Sequence, residues 1–428
     1  MSVFSDDLFR RAPVPELALP GTYGEAPPAH RFSRDLRLGP VQLQVSHLDC
    51  SLEWYQMVLG LRELACEGDT VHLGVPGASE PLVSLEYRPG TTPVRPGSRL
   101  GLYHFAILLP DRPALGRFVQ HLSDIGARVG ASDHLVSEAL YLQDPDGLGI
   151  EVYRDRPREE WRRDGRELMM ATDPLDFPAV VASAQGATWD GMPAGTVMGH
   201  LHLYVGDIAR ASDFYSKALG FDRMVWRYPG ALFLGAGGYH HHLGTNTWAQ
   251  GAPSPSERDA KLLAWTIVTP DAEQTLASVS EAGFVVDGDL LRDPWGTAVR
   301  VRAASLVCTA FAEARKRGGA EARRRGGVEA RRKRCSRSGL DTGRGYIAKI
   351  PPHPIKDTHM QKTTFEISGM SCGHCVKAVD KALQQIAGVT VESVAIGSAT
   401  VAFDDTQTDA GRIAQAIDDA GYPVVATT

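Results

Sequence analysis

The sequence predicts an α+β protein built from four βαβββ units in two pairs, followed by a separate βαββαβ module. Three observations carry this. The stretch 49–61, DCSLEWYQMVLGL, recurs as 207–221, DIARASDFYSKALGF, with an acidic start, a Trp-Tyr or Phe-Tyr pair and a Leu-Gly stop in matching places. The turn Asp144-Pro145-Asp146-Gly147 recurs as Asp293-Pro294-Trp295-Gly296. After Ala304 the composition breaks into a basic, Gly-rich tract, beyond which a new strand–helix pattern begins. Such repeats are read first, because one unit cannot bury its apolar face alone.

Residues 1–37 are rich in Pro, Gly and polar residues and read as an irregular lead-in. Val41-Gln42-Leu43-Gln44-Val45 alternates as a strand does, and a helix follows from Cys50 to Leu59, stopped by Gly60. Strands at 70–75 and 82–87 complete the first unit. The second has a strand at 102–109, a helix at 112–125 ended by Gly126, and strands near 127–130, 139–143 and 149–153. The third opens on the alternating strand His200 to Val205 and the helix beginning at Asp207. The fourth occupies 262–302. The expected divisions are therefore 38–155 and 197–304, a connector at 156–196, a linker at 305–360 and a small domain at 361–428.

At 428 residues, with 43% hydrophobic and 22% charged, the chain has room for two or three soluble domains. The net charge of −6 argues against nucleic acid as a partner of the whole chain. Six cysteines, scattered except for Cys372 and Cys375, do not form a secreted disulfide framework. There is no export signal and no run of eighteen apolar residues, so no membrane span is expected and a cytoplasmic location is the default.

The stretch His134 to Glu151, HLVSEALYLQDPDGLGIE, carries the first chemical signal. A hairpin closed by the Asp-Pro-Asp-Gly turn brings an imidazole, the Tyr141 phenol and a carboxylate into one segment. Glu151 lies among Ile150, Val152 and Tyr153, where a carboxylate without a partner would cost several kcal/mol. A second signal is His240-His241-His242. On a strand His240 and His242 would share one face and His241 would take the other.

GLYHFAILLPDR, DHLVSEALYLQDPDGLGIEVY and GGYHHHLGTNTW resemble the vicinal-oxygen-chelate superfamily of glyoxalases, bleomycin-resistance proteins and extradiol dioxygenases. Within it they look like the tandem catechol 2,3-dioxygenase type, over roughly residues 38–303. His134, Leu140, Tyr141, Asp144, Pro145, Gly147 and Glu151 occupy the extradiol signature, from which Ser132 departs. The resemblance implies cupped β-sheets formed by paired units and an Fe(II) or Mn(II) ion held by two His and one Glu. Open positions would take a catechol and O₂, in the catabolism of aromatic compounds. Two imidazoles and a carboxylate suit a redox-active Fe(II).

By this match His104 and Glu151 come from the second unit and His200 from the third, with His202 a near competitor two residues along. The first unit has Pro40-Val41-Gln42 where a His would stand, and the fourth has Ala264 and Arg300 in place of His and Glu. Only a pairing of the second unit with the third completes one site, with the other left empty. The alternative is a metal-free pair in which His104 and Glu151 serve no metal. The resemblance makes His241, with His242 as runner-up, the residue that handles a substrate proton, and Tyr141 and His134 partners of the substrate oxygens. Two other outcomes belong to the same superfamily: a glyoxalase-type lyase, which prefers Ni or Zn and a four-ligand set, and a non-catalytic binding protein.

The tract EARKRGGAEARRRGGVEARRKR at 313–334 lacks interleaved aromatics, and its Gly-Gly pairs interrupt any helix, so it reads as a solvated linker. Beyond it, Gly369-Met370-Ser371-Cys372-Gly373-His374-Cys375 lies between a strand and a helix. Residues 361–428 resemble the ferredoxin-like heavy-metal-associated domain of copper chaperones and transport ATPases. The resemblance implies that Cys372 and Cys375 bind Cu(I) or another soft metal and that the domain meets a copper-transport partner. Two thiolates at a helix N-terminus suit such an ion.

Overall fold

A computed structural model describes residues 15–127, 129–304, 360–368, 379–384, 386, 389–395, 397–404, 408–419 and 422–427. The chain forms two compact units, Met1–Ala348 and Lys349–Thr428. In the first, β1 (Glu16–Leu17) and β2 (Arg37–Leu38) precede the repeats. The first repeat is β3 (Val41–Val45), α1 (Leu48–Met57), β4 (Arg62–Glu67), β5 (Thr70–Gly74) and β6 (Val83–Tyr87). The second is β7 (Gly101–Leu108), α2 (Arg112–Asp124), β8 (Gly130–Asp133), β9 (Ser137–Gln143) and β10 (Gly149–Asp155). The connector holds β11 (Arg162–Asp164), β12 (Glu167–Leu168) and α3 (Phe177–Ser183). The third repeat is β13 (Val197–Tyr204), α4 (Ile208–Ala211) continuing as a π-helical turn through Ser212–Ala218, β14 (Asp222–Val225), β15 (Ala231–Gly235) and β16 (Leu243–Asn246). The fourth is β17 (Lys261–Val268), α5 (Ala272–Glu281), β18 (Val286–Asp287), β19 (Leu290–Arg292) and β20 (Ala298–Arg302).

One sheet runs β14-β15-β16-β13-β7-β10-β9-β8 and the other β18-β19-β20-β17-β3-β6-β5-β4, with β2 also on β17. Each sheet therefore draws one repeat from 38–155 and one from 197–304. The joins are the antiparallel pairs β13–β7 and β17–β3. The main apolar cluster, including Leu43, Tyr55, Phe105, Phe118, Phe214, Tyr215 and Trp265, draws on both sheets and their helices.

The repeated motifs have one cause. Tyr55 of α1 donates its hydroxyl to Asp144 Oδ2 at 3.0 Å, and Tyr215 donates to Asp293 Oδ2 at 2.9 Å. The other carboxylate oxygen closes the turn, Asp144 Oδ1 accepting from the N–H groups of Asp146 and Leu148 and Asp293 Oδ1 from those of Trp295 and Thr297. The helix tyrosine and the Asp-Pro turn are one contact used twice. It ties consecutive repeats together while their strands pair elsewhere.

Burial, and then the nearby Asp146, push the Asp144 carboxyl up to about 7. Its folded value lies above its unfolded one, so its contribution to stability is full below pH 4 and is lost as the pH rises towards 7. The Asp144→Asn protein is expected to show a flatter stability–pH curve between pH 4 and 7 in urea titrations. Tyr55→Phe, which strands a buried acceptor, should cost about 1–3 kcal/mol at neutral pH.

Two differences from the sequence reading have physical reasons. The sequence gives no sign of β4, because RELACE carries no apolar alternation and sits half-exposed at the edge of its sheet. The lead-in is not wholly loose: Tyr23, Phe32 and Leu36 are buried, and Arg31 holds Asp222 with two hydrogen bonds of 2.7 Å.

In the second unit β21 (Met360–Ile367), β22 (Val389–Ala395), β23 (Ser398–Asp404) and β24 (Val424–Thr427) form the sheet β22-β23-β21-β24. Phe365, Val379, Leu383, Phe403, Ile413 and Ile417 are its core. The expected thiol ligands Cys372 and Cys375, with Met370 and His374, lie outside the described residues, as does the basic tract 313–334. Among the described residues no helix is long and apolar enough to cross a membrane.

Candidate metal centre

Where the second and third repeats meet, β13, β7 and β10 run side by side. Both His200 on β13 and Glu151 on β10 have Ala106 of β7 as their partner, and Tyr141 of β9 pairs with Glu151. His104 lies two residues before Ala106 and pairs with His202. Paired residues in neighbouring strands project to the same side, so one face presents His200, Ala106, Glu151, Tyr141, His104 and His202.

His104 Nε2 lies 3.0 Å and His200 Nε2 3.2 Å from the same atom, Glu151 Oε2, and the possible ligand atoms of all three lie within 4.8 Å of one another. A divalent ion holding donors at about 2.1 Å and roughly right angles sets them about 3 Å apart. All three residues are buried. Both ring nitrogens of His104 lack a hydrogen-bond partner despite burial, the approach to Glu151 being poorly aligned, and so does His200 Nδ1. Of the two nitrogens that converge on Glu151, His200 Nε2 donates a hydrogen bond to Oε2 at 3.2 Å while His104 Nε2 makes none, and a buried imidazole left unpartnered beside a carboxylate suits a shared cation. The donor set fits a divalent metal with positions left open.

The charges agree with this. Burial pushes the Glu151 carboxyl up, but His200 and His104 outweigh it and hold it well below the usual carboxylate range. Burial lowers His104 against the pull of Glu151, which keeps its imidazole neutral, as a metal ligand needs. Small residues make room. Ala106, the strand partner of both His200 and Glu151, carries only a methyl group. Gly149 lies so close to β7 that an added Cβ would fall 2.0 Å from the Tyr103 carbonyl oxygen and 3.2 Å from His104 Cβ. Gly199 sits where β13 shifts register against β7, and an added Cβ there would lie 2.0 Å from Tyr153 Oη.

The structure also brings Tyr141 and His134 to this place. His134 Nδ1 donates to the Ala171 carbonyl at 2.6 Å, so its Nε2 accepts from the Tyr141 hydroxyl at 2.5 Å. Burial and then Glu151 raise the Tyr141 phenol well above its ordinary value, so it stays protonated. Leu135, in the turn that delivers His134, is held at φ 68°.

His241 stands beside the cluster, its ring 4.2 Å from that of His200. Burial and the neighbouring His200 lower it well below its usual value and keep it neutral. His242 does not join the cluster. Its Nδ1 accepts from the Ala236 N–H at 3.2 Å and its ring lies against Tyr239 and Phe221. The alternation expected for this run fails because residues 236–242 precede β16 as irregular backbone, and His240 and His241 touch through their Nδ1 atoms at 2.7 Å.

His202, the near competitor of His200 in the sequence, is not in the group that could hold the ion. It is buried, packs on His104 and Trp248, and has no hydrogen-bond partner for Nε2. Tyr153 and Asp155 were missed. They follow Glu151 at two-residue spacing on the same strand face, which was the available signal. In the other sheet Ala264 pairs with Gln42 as His104 does with His202, and Thr266 pairs with Arg300 as Ala106 does with Glu151. Among the described residues that sheet has no such cluster.

The model of the Glyoxalase/Bleomycin resistance protein/Dioxygenase superfamily matches residues 37–152 and 197–309, and that of the heavy-metal-associated domain matches 364–423. The chain is 40% identical over 260 residues to a catechol-2,3-dioxygenase of Bacillus subtilis (strain 168), covering 59% of this chain and 90% of that protein. It is 41% identical over 68 residues to the copper chaperone CopZ of Staphylococcus aureus (strain JH9), 15% of this chain and all of the chaperone. A copper-transporting ATPase 2 of Rattus norvegicus is 39% identical over 82 residues, 19% of this chain but only 6% of the ATPase. Two matched segments supply the paired repeats and a third the C-terminal sheet. The chain belongs to the Glyoxalase/Bleomycin resistance protein/Dioxygenase superfamily and carries a heavy-metal-associated domain.

Proposed function

We propose that residues 37–309 are a non-haem extradiol dioxygenase that cleaves catechol-like substrates, with His104, Glu151 and His200 as ligands of Fe(II) or Mn(II). The observation that carries this is the convergence of two imidazole nitrogens on one Glu151 oxygen across three adjacent strands. When bound, the metal would bring catechol and O₂ together and allow electrons to pass between them. The chain's residues do the rest. Tyr141, protonated and donating its hydrogen to His134, presents its oxygen as an acceptor to a substrate hydroxyl. His241, neutral beside His200, takes a hydroxyl proton as the diol binds. Tyr103, Trp248, Tyr228 and Phe233, linked by ring contacts to His202, His104 and each other, give a flat apolar ring its surroundings. The identity with the Bacillus catechol-2,3-dioxygenase supports the same reading.

Oxygen-electrode measurement with catechol on the Fe(II)-loaded protein is expected to show one O₂ consumed per ring opened. Consumption of a thiol adduct of an α-ketoaldehyde without O₂ would instead identify a glyoxalase-type lyase. Tight binding of aromatic ligands with neither reaction would identify a binding protein. For the C-terminal domain we infer Cu(I) or another soft metal on Cys372 and Cys375 and a copper-transfer partner, as the likeness to the chaperone suggests. Cys372→Ala should remove that metal and leave the ring-cleaving activity intact.

A further inference from the structure

Asp155, His240 and His241 form a line of hydrogen bonds that ends beside His200. Asp155 Oδ1 lies 2.8 Å from His240 Nε2, and His240 Nδ1 lies 2.7 Å from His241 Nδ1. His240 is fully buried, and its ring is enclosed by Tyr239, Trp161 and Tyr153. The same carboxylate oxygen accepts the Tyr239 hydroxyl at 3.1 Å, and Tyr239 Oη is 2.7 Å from Tyr153 Oη. Tyr153 in turn lies against the other side of the site, its ring 4.8 Å from that of His200.

The direction of these bonds follows from what each atom can do. An ionised carboxylate only accepts, so His240 Nε2 carries the hydrogen. A neutral His240 then has a lone pair at Nδ1, and a second nitrogen at 2.7 Å must supply the hydrogen between them. That hydrogen is on His241 Nδ1. His241 is left with a bare Nε2. The opposite assignment would need a cation on a ring with no exposure to water.

We propose that Asp155 and His240 are positioning residues that fix His241 as its Nδ1–H tautomer, so that Nε2 is the proton acceptor beside the metal ligands. The inference rests on the dioxygenase reading for its purpose but not for its geometry. A carboxylate that sets the tautomer of a catalytic imidazole is worth several powers of ten in other enzymes. Here an extra imidazole stands between the two. The arrangement makes use of Asp155, which Glu151 places on its own strand face four residues on, and of a His-His pair that no metal role explains.

Two readouts test it on the full-length chain. Two-bond ¹H–¹⁵N correlation spectra of histidine-labelled protein, loaded with diamagnetic Zn(II), report each imidazole tautomer. The His241 signals are identified by their loss in His241→Gln. The wild type is expected to show His241 with a bare Nε2. In Asp155→Asn, whose amide can donate to His240, the line reverses and His241 acquires an Nε2–H. Ring cleavage by Asp155→Asn is expected to fall about 10²-fold in kcat with KM little changed, at wild-type metal content. Asp155→Glu should recover most of the loss. Should Asp155→Asn fail to fold, His240→Asn interrupts the same line and is expected to release the His241 tautomer. A protonated Nε2 on His241 in the wild type would overturn the proposal. So would an unchanged tautomer in whichever variant folds. If the wild type consumed no O₂, the dioxygenase reading would fail, and the spectrum would still decide the tautomer.

Discussion

On the proposed dioxygenase reading, the Glu151→Ala protein is expected to lose the metal held between the second and third repeats and O₂ uptake with catechol, while copper bound by the C-terminal domain stays. Glu151 is the carboxylate on which both His104 Nε2 and His200 Nε2 converge. Changes to residues behind a metal ligand already cost 10–100-fold in affinity, and removal of the carboxylate donor should cost on the order of 10³-fold or more. The loss is also electrostatic. Two neutral imidazoles bring no charge to a divalent ion in a buried site, and Glu151, held ionised, supplies the negative charge. Glu151→Gln keeps the shape and one oxygen donor, so it separates charge from geometry. It should retain the fold and bind metal more weakly than wild type but better than Glu151→Ala. Metal analysis of the dialysed proteins, with copper counted beside iron, gives the answer.

The Gly199→Ala protein is expected to fold poorly or to hold His200 out of place, although no ligand is changed. The Cβ would lie 2.0 Å from Tyr153 Oη, 2.7 Å from its ring carbon Cζ and 2.8 Å from Cε1. No rotation of an aromatic ring that is fully buried relieves three such contacts. Either Tyr153 leaves its place or β13 moves away from β10. The first breaks the hydroxyl contact with Tyr239, and the second carries His200 from Glu151. Crowding of this kind typically costs 1–3 kcal/mol and here the contact is with a rigid group, so the upper end or beyond is expected. Thermal unfolding and metal affinity should therefore fall together. Unchanged metal affinity in a well-folded Gly199→Ala protein would show that the bulge at Gly199 does not aim His200.

How much of this the sequence discloses depends on how local each contact is. The repeat plan is legible because each βαβββ unit repeats its stop signals, and the Tyr55–Asp144 and Tyr215–Asp293 contacts explain why those signals recur. The exchange of partners between repeats follows from the uneven distribution of His104, Glu151 and His200 over the units, which leaves one coherent grouping. The hydrogen-bonded line does not follow from any local pattern. Asp155 and His240 are 85 positions apart, and their meeting depends on how an irregular segment before β16 folds over the end of β10. The same irregularity defeats the two-residue alternation expected for His240, His241 and His242. β4 escapes notice for a different reason: an edge strand with both faces half-exposed needs no apolar period.

The two parts of the chain ask for different metals. Two imidazoles and a carboxylate favour a harder ion than two thiolates do. The central claim concerns the first of these sites and is decided by locating the ion. Anomalous diffraction at the iron edge, from crystals of the Fe(II)-loaded full-length protein, should show one iron peak in the paired repeats. That peak should lie at about 2.1 Å from His104 Nε2, His200 Nε2 and a Glu151 oxygen. A peak placed elsewhere, such as near Pro40, Ala264 and Arg300 in the other sheet, would contradict the account. So would no peak at saturating iron.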